Sequence, residues 1–391
     1  MNTPANPLIR LKTQRRSNHP WIFQKMVEKP AQRPKPGTIV DIIDRDGSFA
    51  GRGFYNGHSR IALRVLSADP EQAVDADFFA RKIDEAIRLR RGVLKLDAVT
   101  DAYRLIHSEG DGLSGLVVDR FADLLVVQYF AAGMFKQRDT IAQCLRRHFP
   151  DAQVYAFAEQ HVQKQESFDL NDPPAPQPVV ITEHGIRFHA DPGSKHKTGF
   201  FADQRDNRLA LADFCADARV LDLCCNSGGF GIYAKVRGGA REVTGIDLDD
   251  EVLRIAERNA KANKAKVRFV QADLFAWLRD VTVNNHEQFD VVVLDPAKMT
   301  RDREKVIPAL KKYLDMNKLA LAAVRPGGIF VTCSCTGLVS EEQFLDMLRR
   351  AAFYSNRTVQ VLKVSGAGPD HPWLAHVPES RYLKVAFCRV F

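Results

Sequence analysis

The 391-residue chain carries 56 lysines and arginines against 48 aspartates and glutamates, a formal charge of +8, with 45% hydrophobic residues. That length exceeds one ordinary core and predicts two or three domains, while the basic excess favours a polyanionic partner without singling one out. Seven cysteines, odd in number with Cys224 and Cys225 adjacent and no regular framework, argue against a secreted disulfide scaffold and for reduced thiols in the cytoplasm. The amino-terminal segment is polar, with Pro4, Pro7 and Arg10 where a signal peptide needs an apolar run. No apolar stretch reaches membrane-spanning length, so a soluble protein with no membrane partner is expected.

Short β-rich runs over Thr38–Ile43, Ser48–Tyr55 and Arg60–Leu66 are broken by Asp46-Gly47 and Asn56-Gly57, both hairpin-turn dipeptides. They predict a small curved sheet or barrel within residues 1–75. The preceding run Arg10 to Arg16, ending in Trp21 and Phe23, has the basic and aromatic character of a phosphate-tracking segment. Its structural alternative is a solvated stretch anchored by the aromatics. Residues Ala76 to about Asp97 read as a helix with Phe79, Ile83, Ile87 and Leu94 on one side and Arg81, Lys82, Arg88, Arg90, Arg91 and Lys95 elsewhere. Strands over Tyr103–His107, Gly115–Asp119, Leu124–Tyr129 and Gln153–Phe157, with a helix near Lys136–His148, predict a central α+β module over residues 76–180. Its Glu109–Leu113 turn lacks the spaced ligands of a calcium loop and reads as a tight turn. Four prolines in Asp172–Pro178 mark a stiff connector.

From Arg219 strands and helices alternate as in a doubly wound, mostly parallel sheet, giving an α/β domain over residues 181–391. Val220 to Phe230 is a strand, a loop and a helix start; it contains Asp222, Asn226, Ser227, Gly228, Gly229 and Phe230, and its adjacent glycines let the backbone approach a ligand. The spacing is not that of a dinucleotide fingerprint. Asp247 ends the second strand, where a carboxylate commonly binds ribose hydroxyls, and Asp273 ends the third, where it can accept from an adenine amino group. Either carboxylate alone equally suits a helix N-cap. Their joint placement, with no phosphate-binding loop, makes S-adenosyl-L-methionine the most economical cofactor.

Asp295-Pro296-Ala297-Lys298 follows the fourth strand, and Thr332 to Gly337, carrying Cys333 and Cys335, follows the next. A carboxylate and a thiol at neighbouring carboxyl ends suit attack on a pyrimidine ring. A thiolate adds to cytosine C6 and renders C5 nucleophilic, and Asp295 would contact the N3 edge. Residues i and i+2 share a strand face, so parity does not separate Cys333 from Cys335. Cys335 lies nearer the expected cleft. Cys144, Cys215 and Cys388 read as small buried hydrophobes, and no second cysteine–histidine cluster completes a metal site.

These strings, together with His19–Phe23, Tyr103–Ile106, Glu109–Leu113, Lys197–Arg205 and Asp370-His371-Pro372, resemble the ribosomal large-subunit RNA cytosine-5 methyltransferase I family almost end to end. The resemblance implies a multidomain α/β protein: a β-rich PUA barrel, a small central α+β domain and a Rossmann-like class I methyltransferase domain. It assigns Cys335 as nucleophile and Cys333 to packing, matches Asp247 and Asp273 to the ribose and adenine carboxylates, and places Phe201, Asp203, Gln204, Arg205 and Asn226 beside the cofactor, with Asp222 and Asp295. It implies large-subunit ribosomal RNA as partner, and a homodimer is compatible with it. The chain departs from the family at Ala297 and Met299, where a second proline and an aromatic residue are usual, and at Cys224–Asn226. Ala297 and Met299 bear on the loop that positions Asp295. Asp370 and His371 are candidates for the base that removes the C5 proton, although Asp-His-Pro also suits a loop cap.

Two alternatives use the same residues. A guanine-N7 or exocyclic-amino methyltransferase would need no Cys335. A non-catalytic RNA-binding assembly factor would have no need of the cofactor carboxylates.

Overall fold

A computed structural model describes residues 6–15, 17–171, 173–193 and 199–391. Arg16, Asp172 and the Lys197-Thr198 start of one matched string lie outside the described residues. The chain divides into two compact units, one of residues 1–181, 190–200 and 369–380, the other of residues 182–189, 201–368 and 381–391.

In the first unit, β1 (Leu8–Arg10), β2 (Trp21–Phe23), β3 (Thr38–Ile43), β4 (Phe49–Tyr55) and β5 (Ile61–Ser67) form one sheet in the order β1-β3-β4-β5-β2. The edges meet: Leu11 bridges Val27, and the Lys12 and Glu28 amides donate to Met26 and Arg10 carbonyls. The sheet therefore closes around Ile9, Leu11, Ile22, Val40, Ile42 and Leu63. The expected basic run is partly structural, since the Arg15 guanidinium donates to the carbonyls of Ala50 at 2.7 Å and His19 at 3.1 Å. Trp21 is an anchor, its Nε1–H donating to Glu109 at 2.8 Å.

Helix α1 spans Ala76–Arg88, shorter than expected, and continues in a wider turn to Val93 before Lys95 turns left-handed at φ 52°. Asp75 caps it, accepting from the Phe78 amide at 2.9 Å. Phe79, Ile83 and Ile87 are buried as the pattern predicts, but Arg90, expected on the solvated side, is also fully buried. Its guanidinium forks onto Asp111 at 2.6 and 2.9 Å and donates to the Asp370 carbonyl at 2.7 Å. The helix packs on a four-stranded sheet of β6 (Ala102–His107), β7 (Leu116–Phe121), β8 (Leu124–Tyr129) and β9 (Gln153–Phe157). Helices α2 (Ala132–Lys136), α3 (Arg138–His148) and α4 (Gln160–Glu166) complete this part.

The hairpin of β10 (Val179–Glu183) and β11 (Ile186–Ala190) was not legible in the sequence. In the second unit the elements run α5 (Arg205–Ala212), β12 (Arg219–Leu223), α6 (Gly229–Val236), β13 (Glu242–Asp247), α7 (Asp250–Ala262), β14 (Arg268–Gln271), α8 (Leu274–Arg279), β15 (Phe289–Leu294), α9 (Val306–Ala322), β16 (Val324–Ser334), α10 (Glu341–Tyr354), β17 (Val359–Ser365) and β18 (Lys384–Val390). The sheet order is β14-β13-β12-β15-β16-β18-β17. The first five strands are parallel, and β18 is antiparallel to both neighbours. The order reverses between β12 and β15, which opens a crevice beyond their carboxyl ends. Strand β16 starts at Val324, earlier than its expected Ile329, because Val324 pairs with Phe289 of β15 across a register shift, whereas β18 joins only from Gly328.

Truncating Arg90 to alanine leaves the Asp111 carboxylate buried without its guanidinium, a change that costs about 3–5 kcal/mol. Urea unfolding of Arg90→Ala should show a loss of that order. A loss under about 1 kcal/mol would mean that the pair adds little.

Candidate active site

Each parallel strand carries an acidic or thiol side chain at or just beyond its carboxyl end: Asp222, Asp247, Asp273, Asp295 and Cys335. Asp222, next to the end of β12, is buried; its Oδ2 accepts the Gly231 amide at 2.8 Å, and its Oδ1 has no hydrogen-bond partner among the described residues. Burial is the largest influence on this carboxyl and pushes it up to about 7; the Gly231 amide opposes the shift, and Asp295 and Asp247 add to it. Asp222, Asp295 and Asp247 stand at the carboxyl ends of adjacent strands, and the charges of the latter two add to the effect of burial on Asp222. A ligand that carries positive charge offsets those charges.

The loop after β12 is unusual in its backbone. Cys224, Asn226 and Gly228 have φ of 58°, 48° and 80°, all in the left-handed region. Such outliers away from glycine are costly and persist where neighbours hold them. Here the holding bonds run from the Asn226 amide to Asp247 Oδ2 at 2.9 Å, from the Ser227 amide to Asn226 Oδ1 at 2.8 Å, and from Asn259 Nδ2 to the Ser227 carbonyl at 3.0 Å. At Gly228 a Cβ would lie 3.0 Å from the Phe269 ring and 3.2 Å from Ala256, so a bare backbone is needed there. Gly229 opens α6, and Phe230 packs into the core.

Asp247 Oδ1 accepts the Asp249 amide at 3.1 Å. Asp273 is exposed and caps α8 through the Ala276 amide at 3.0 Å, the capping role weighed above. The two bonds accepted by Asp247 and the one accepted by Asp273 leave lone pairs on each carboxylate, so capping and ligand contact are compatible. The Phe201–Arg205 segment is turned in varied directions. Gln204 Nε2 donates to Asp295 Oδ2 at 2.9 Å, while the Gln204 carbonyl oxygen accepts from Asn207 at 2.7 Å. Asp203 accepts from the Tyr382 hydroxyl at 2.5 Å, Arg205 donates to Asp206 at 3.2 Å, and the Phe201 carbonyl accepts from Arg208 at 3.0 Å.

Asp295 follows β15, its amide donating to the Leu223 carbonyl at 3.2 Å. Cys333 is fully buried inside β16, and burial pushes its thiol well above its ordinary value. Cys335 is half-buried just beyond the strand, its Sγ 3.8 Å from the Pro296 carbonyl. The thiol and Asp295 therefore occupy adjacent loops. The altered Ala297–Met299 stretch is tethered, since the Met299 amide donates to Thr336 Oγ1 at 3.1 Å and the same hydroxyl meets Tyr313 at 2.9 Å. Asp370 and His371 lie in the first unit: Asp370 accepts the Arg104 amide at 3.0 Å, and the His371 ring stands 5.1 Å from that of His107. An open concavity of about 780 Å³ in the second unit sits at the other end of the sheet, around Trp277 and Phe289. Its Arg219 is already paired with Glu242 and Glu287.

Residues 11–68 match the PUA-like domain family and residues 215–376 the methyltransferase domain family. Ribosomal RNA large subunit methyltransferase I of Aeromonas hydrophila is 40% identical over 376 residues, covering 94% of each chain. The protein of the same name from Klebsiella pneumoniae is 37% identical over 380 residues, covering 95% of this chain and 94% of that one. The chain belongs to the ribosomal RNA large subunit methyltransferase I family. A methyltransferase solved in complex with SAH superposes with a TM-score of 0.81 at 19% identity, over 98% of this chain and 100% of that one. A SAM-dependent methyltransferase from Streptococcus mutans gives 0.79 at 18% identity, with the same coverage. The fold expectation holds: a PUA-like β domain joined to a class I S-adenosylmethionine-dependent methyltransferase fold with a mostly parallel sheet.

Reading this family member by sequence alone misses the polar side chains behind the site. Asn207 links Gln204 to Ser365 Oγ at 2.7 Å, and Thr332 Oγ1 donates to Asn317 at 2.7 Å. Lys384, a lone lysine opening the apolar run Val385–Cys388, is a signal that the sequence does carry.

Asp222 binds its proton more tightly folded, at about 7, than unfolded, at about 4. Its contribution is therefore fully present at low pH and is lost as pH rises through that window. Urea unfolding at about pH 5 and about pH 8 should show a fall in stability that is smaller in Asp222→Asn. An equal fall in both would remove Asp222 as its source.

Proposed function

We propose that the chain forms 5-methylcytosine in large-subunit ribosomal RNA, with Cys335 as the nucleophile and Asp295 at the N3 edge of the target base. One observation carries the reading: both thiols lie near Asp295, but the one beyond the strand end is half-buried while Cys333 is sealed in the core. The relatives named for large-subunit RNA methylation support the RNA class, and the PUA-like segment supports binding to structured RNA.

The cofactor S-adenosylmethionine fits the residues present. Asp222 has a buried oxygen free to accept, and the carboxyl groups around it favour a cation. Asp247, Asp273 and the Asn226–Phe230 loop would hold its adenosyl part. When bound, it supplies an electrophilic methyl carbon to a C5 that the cysteine adduct has made electron-rich.

Cytosine C5 is barely nucleophilic on its own. Cys335 Sγ, as thiolate, adds to C6, and the electron pair displaced toward N3 is stabilised by a hydrogen bond donated from the carboxylic acid form of Asp295, which keeps its proton when the adduct collapses. After C5 is methylated, loss of the C5 proton to a base restores the C5–C6 double bond and expels Cys335 as thiolate. Gln204 orients the Asp295 carboxylate, and Thr336 fixes the loop beyond it. The target base must leave its stack to reach Sγ, at a cost of a few kcal/mol offset by pocket and phosphate contacts. Binding should therefore weaken with salt.

Incubation with labelled S-adenosylmethionine and large-subunit RNA, followed by nucleoside analysis, tests the reading. Wild type and Cys333→Ala should yield 5-methylcytosine, and Cys335→Ala should lower it on the order of 10³-fold or more. A methylated purine that survives Cys335→Ala would replace the covalent mechanism with direct transfer. No product on any RNA form would favour the assembly-factor reading.

A further inference from the structure

Lys384 opens β18 and pairs across the antiparallel ladder with Ser334, the last residue of β16. The register thus sets a lysine beside the segment that carries Cys335. Its side chain is almost wholly buried, at 1% exposure. The ammonium donates to the carbonyls of Thr336 and Tyr382, both at 2.8 Å. Neither acceptor is charged. An ammonium has three donors, and one buried among neutral groups is costly without an anion nearby.

Burial pushes Lys384 down to about 8. Among its charged neighbours Cys335, once ionised, acts on it most strongly and holds it up, ahead of Arg381, Glu341 and Lys298. Glu341 is itself engaged by Arg381. The anion best placed to compensate this cation is the Cys335 thiolate.

We propose that Lys384 is a positioning residue for Cys335: its buried ammonium fixes the Cys335–Gly337 turn through the Thr336 carbonyl and stabilises the Cys335 thiolate. This rests on the reading of Cys335 as nucleophile. The thiol proton passes to solvent, and Lys384 keeps its own three N–H bonds. A nearby cation lowers a thiol pKa, so the ion pair exists from the thiol midpoint up to the pH at which the ammonium itself loses its proton. Above that pH the stabilisation is lost.

The test is the pH dependence of Cys335 alkylation by iodoacetamide, resolved peptide by peptide, on the full chain without RNA or cofactor. The wild-type midpoint should fall below the ordinary thiol value of about 8.5. Lys384→Met should raise it by roughly one unit or more, and Lys384→Arg should restore most of the difference. A wild-type midpoint at or above about 8.5 overturns the proposal. So does a Lys384→Met variant that stays folded by circular dichroism with its midpoint unmoved. If that variant does not fold, the wild-type midpoint decides. Because neither RNA nor methyl donor enters the assay, loss of the covalent mechanism and loss of the Lys384 role are separately readable.

Discussion

The placement of Asp222, Asp247 and Asp295 at the carboxyl ends of three adjacent parallel strands is the constraint around which the second unit is organised. Carboxylates placed at the ends of adjacent parallel strands cannot be moved apart without changing the register that builds the sheet, in which Leu223 lies level with Ile246 and with Leu294. Their charges must therefore be managed locally. Gly231 and the Asn226 and Asp249 amides donate to two of them, and Gln204 donates to the third. The left-handed residues of the Cys224–Gly228 loop follow from this need, because turning the Asn226 amide toward Asp247 requires a backbone path that ordinary helix or strand geometry does not provide. Backbone donors stabilise the negative charge without neutralising it, which leaves the crevice receptive to a cationic ligand.

On the other side of the sheet's reversal, the antiparallel strand β18 does what a parallel neighbour would not. It starts at the carboxyl end of β16 and runs back toward its amino end, so its first residue, Lys384, lies level with Ser334 and reaches the turn after the strand. Helix α9 supplies the other half of the support. Tyr313 and Asn317, one helical turn apart, meet Thr336 and Thr332. Hydroxyls at a buried strand end would otherwise lack partners, and each unsatisfied one costs about 1–3 kcal/mol.

The alternation of short apolar runs with amphipathic segments made the doubly wound sheet legible, because a central parallel strand such as Val291–Leu294 must be apolar on both faces. The carboxylates, Cys335 and the glycine loop were legible for the same reason, as polar or flexible residues placed directly after such runs. What stayed hidden depends on partners distant in sequence. The β10–β11 hairpin is short, and strands β17 and β18 gain their sheet position only through antiparallel pairing with each other and with β16. Arg90 looked solvated because its helix is rich in basic residues, yet Asp111, 21 positions on, draws it inside. Cys333 and Cys335 share strand parity, and the end of β16 at Ser334, two residues later than the apolar run suggests, is what leaves Cys333 sealed inside the strand and Cys335 just beyond it.

At Ala297 and Met299, where the resemblance leads to an expectation of a second proline and an aromatic residue, the loop is restrained by other means. A second proline would stiffen the backbone after Asp295 by restricting φ. Without it, the restraint comes from hydrogen bonds at both ends: the Asp295 amide on Leu223 and the Met299 amide on Thr336. Thr336 is in turn held by Tyr313 through its hydroxyl and by Lys384 through its carbonyl. The loops bearing Asp295 and Cys335 are thus fastened to one residue between them, so the spacing of acid and thiol is set by Thr336 more than by the rigidity of either loop. Replacing proline by alanine changes how stiff the Asp295 loop is in isolation but leaves the shared anchor in place.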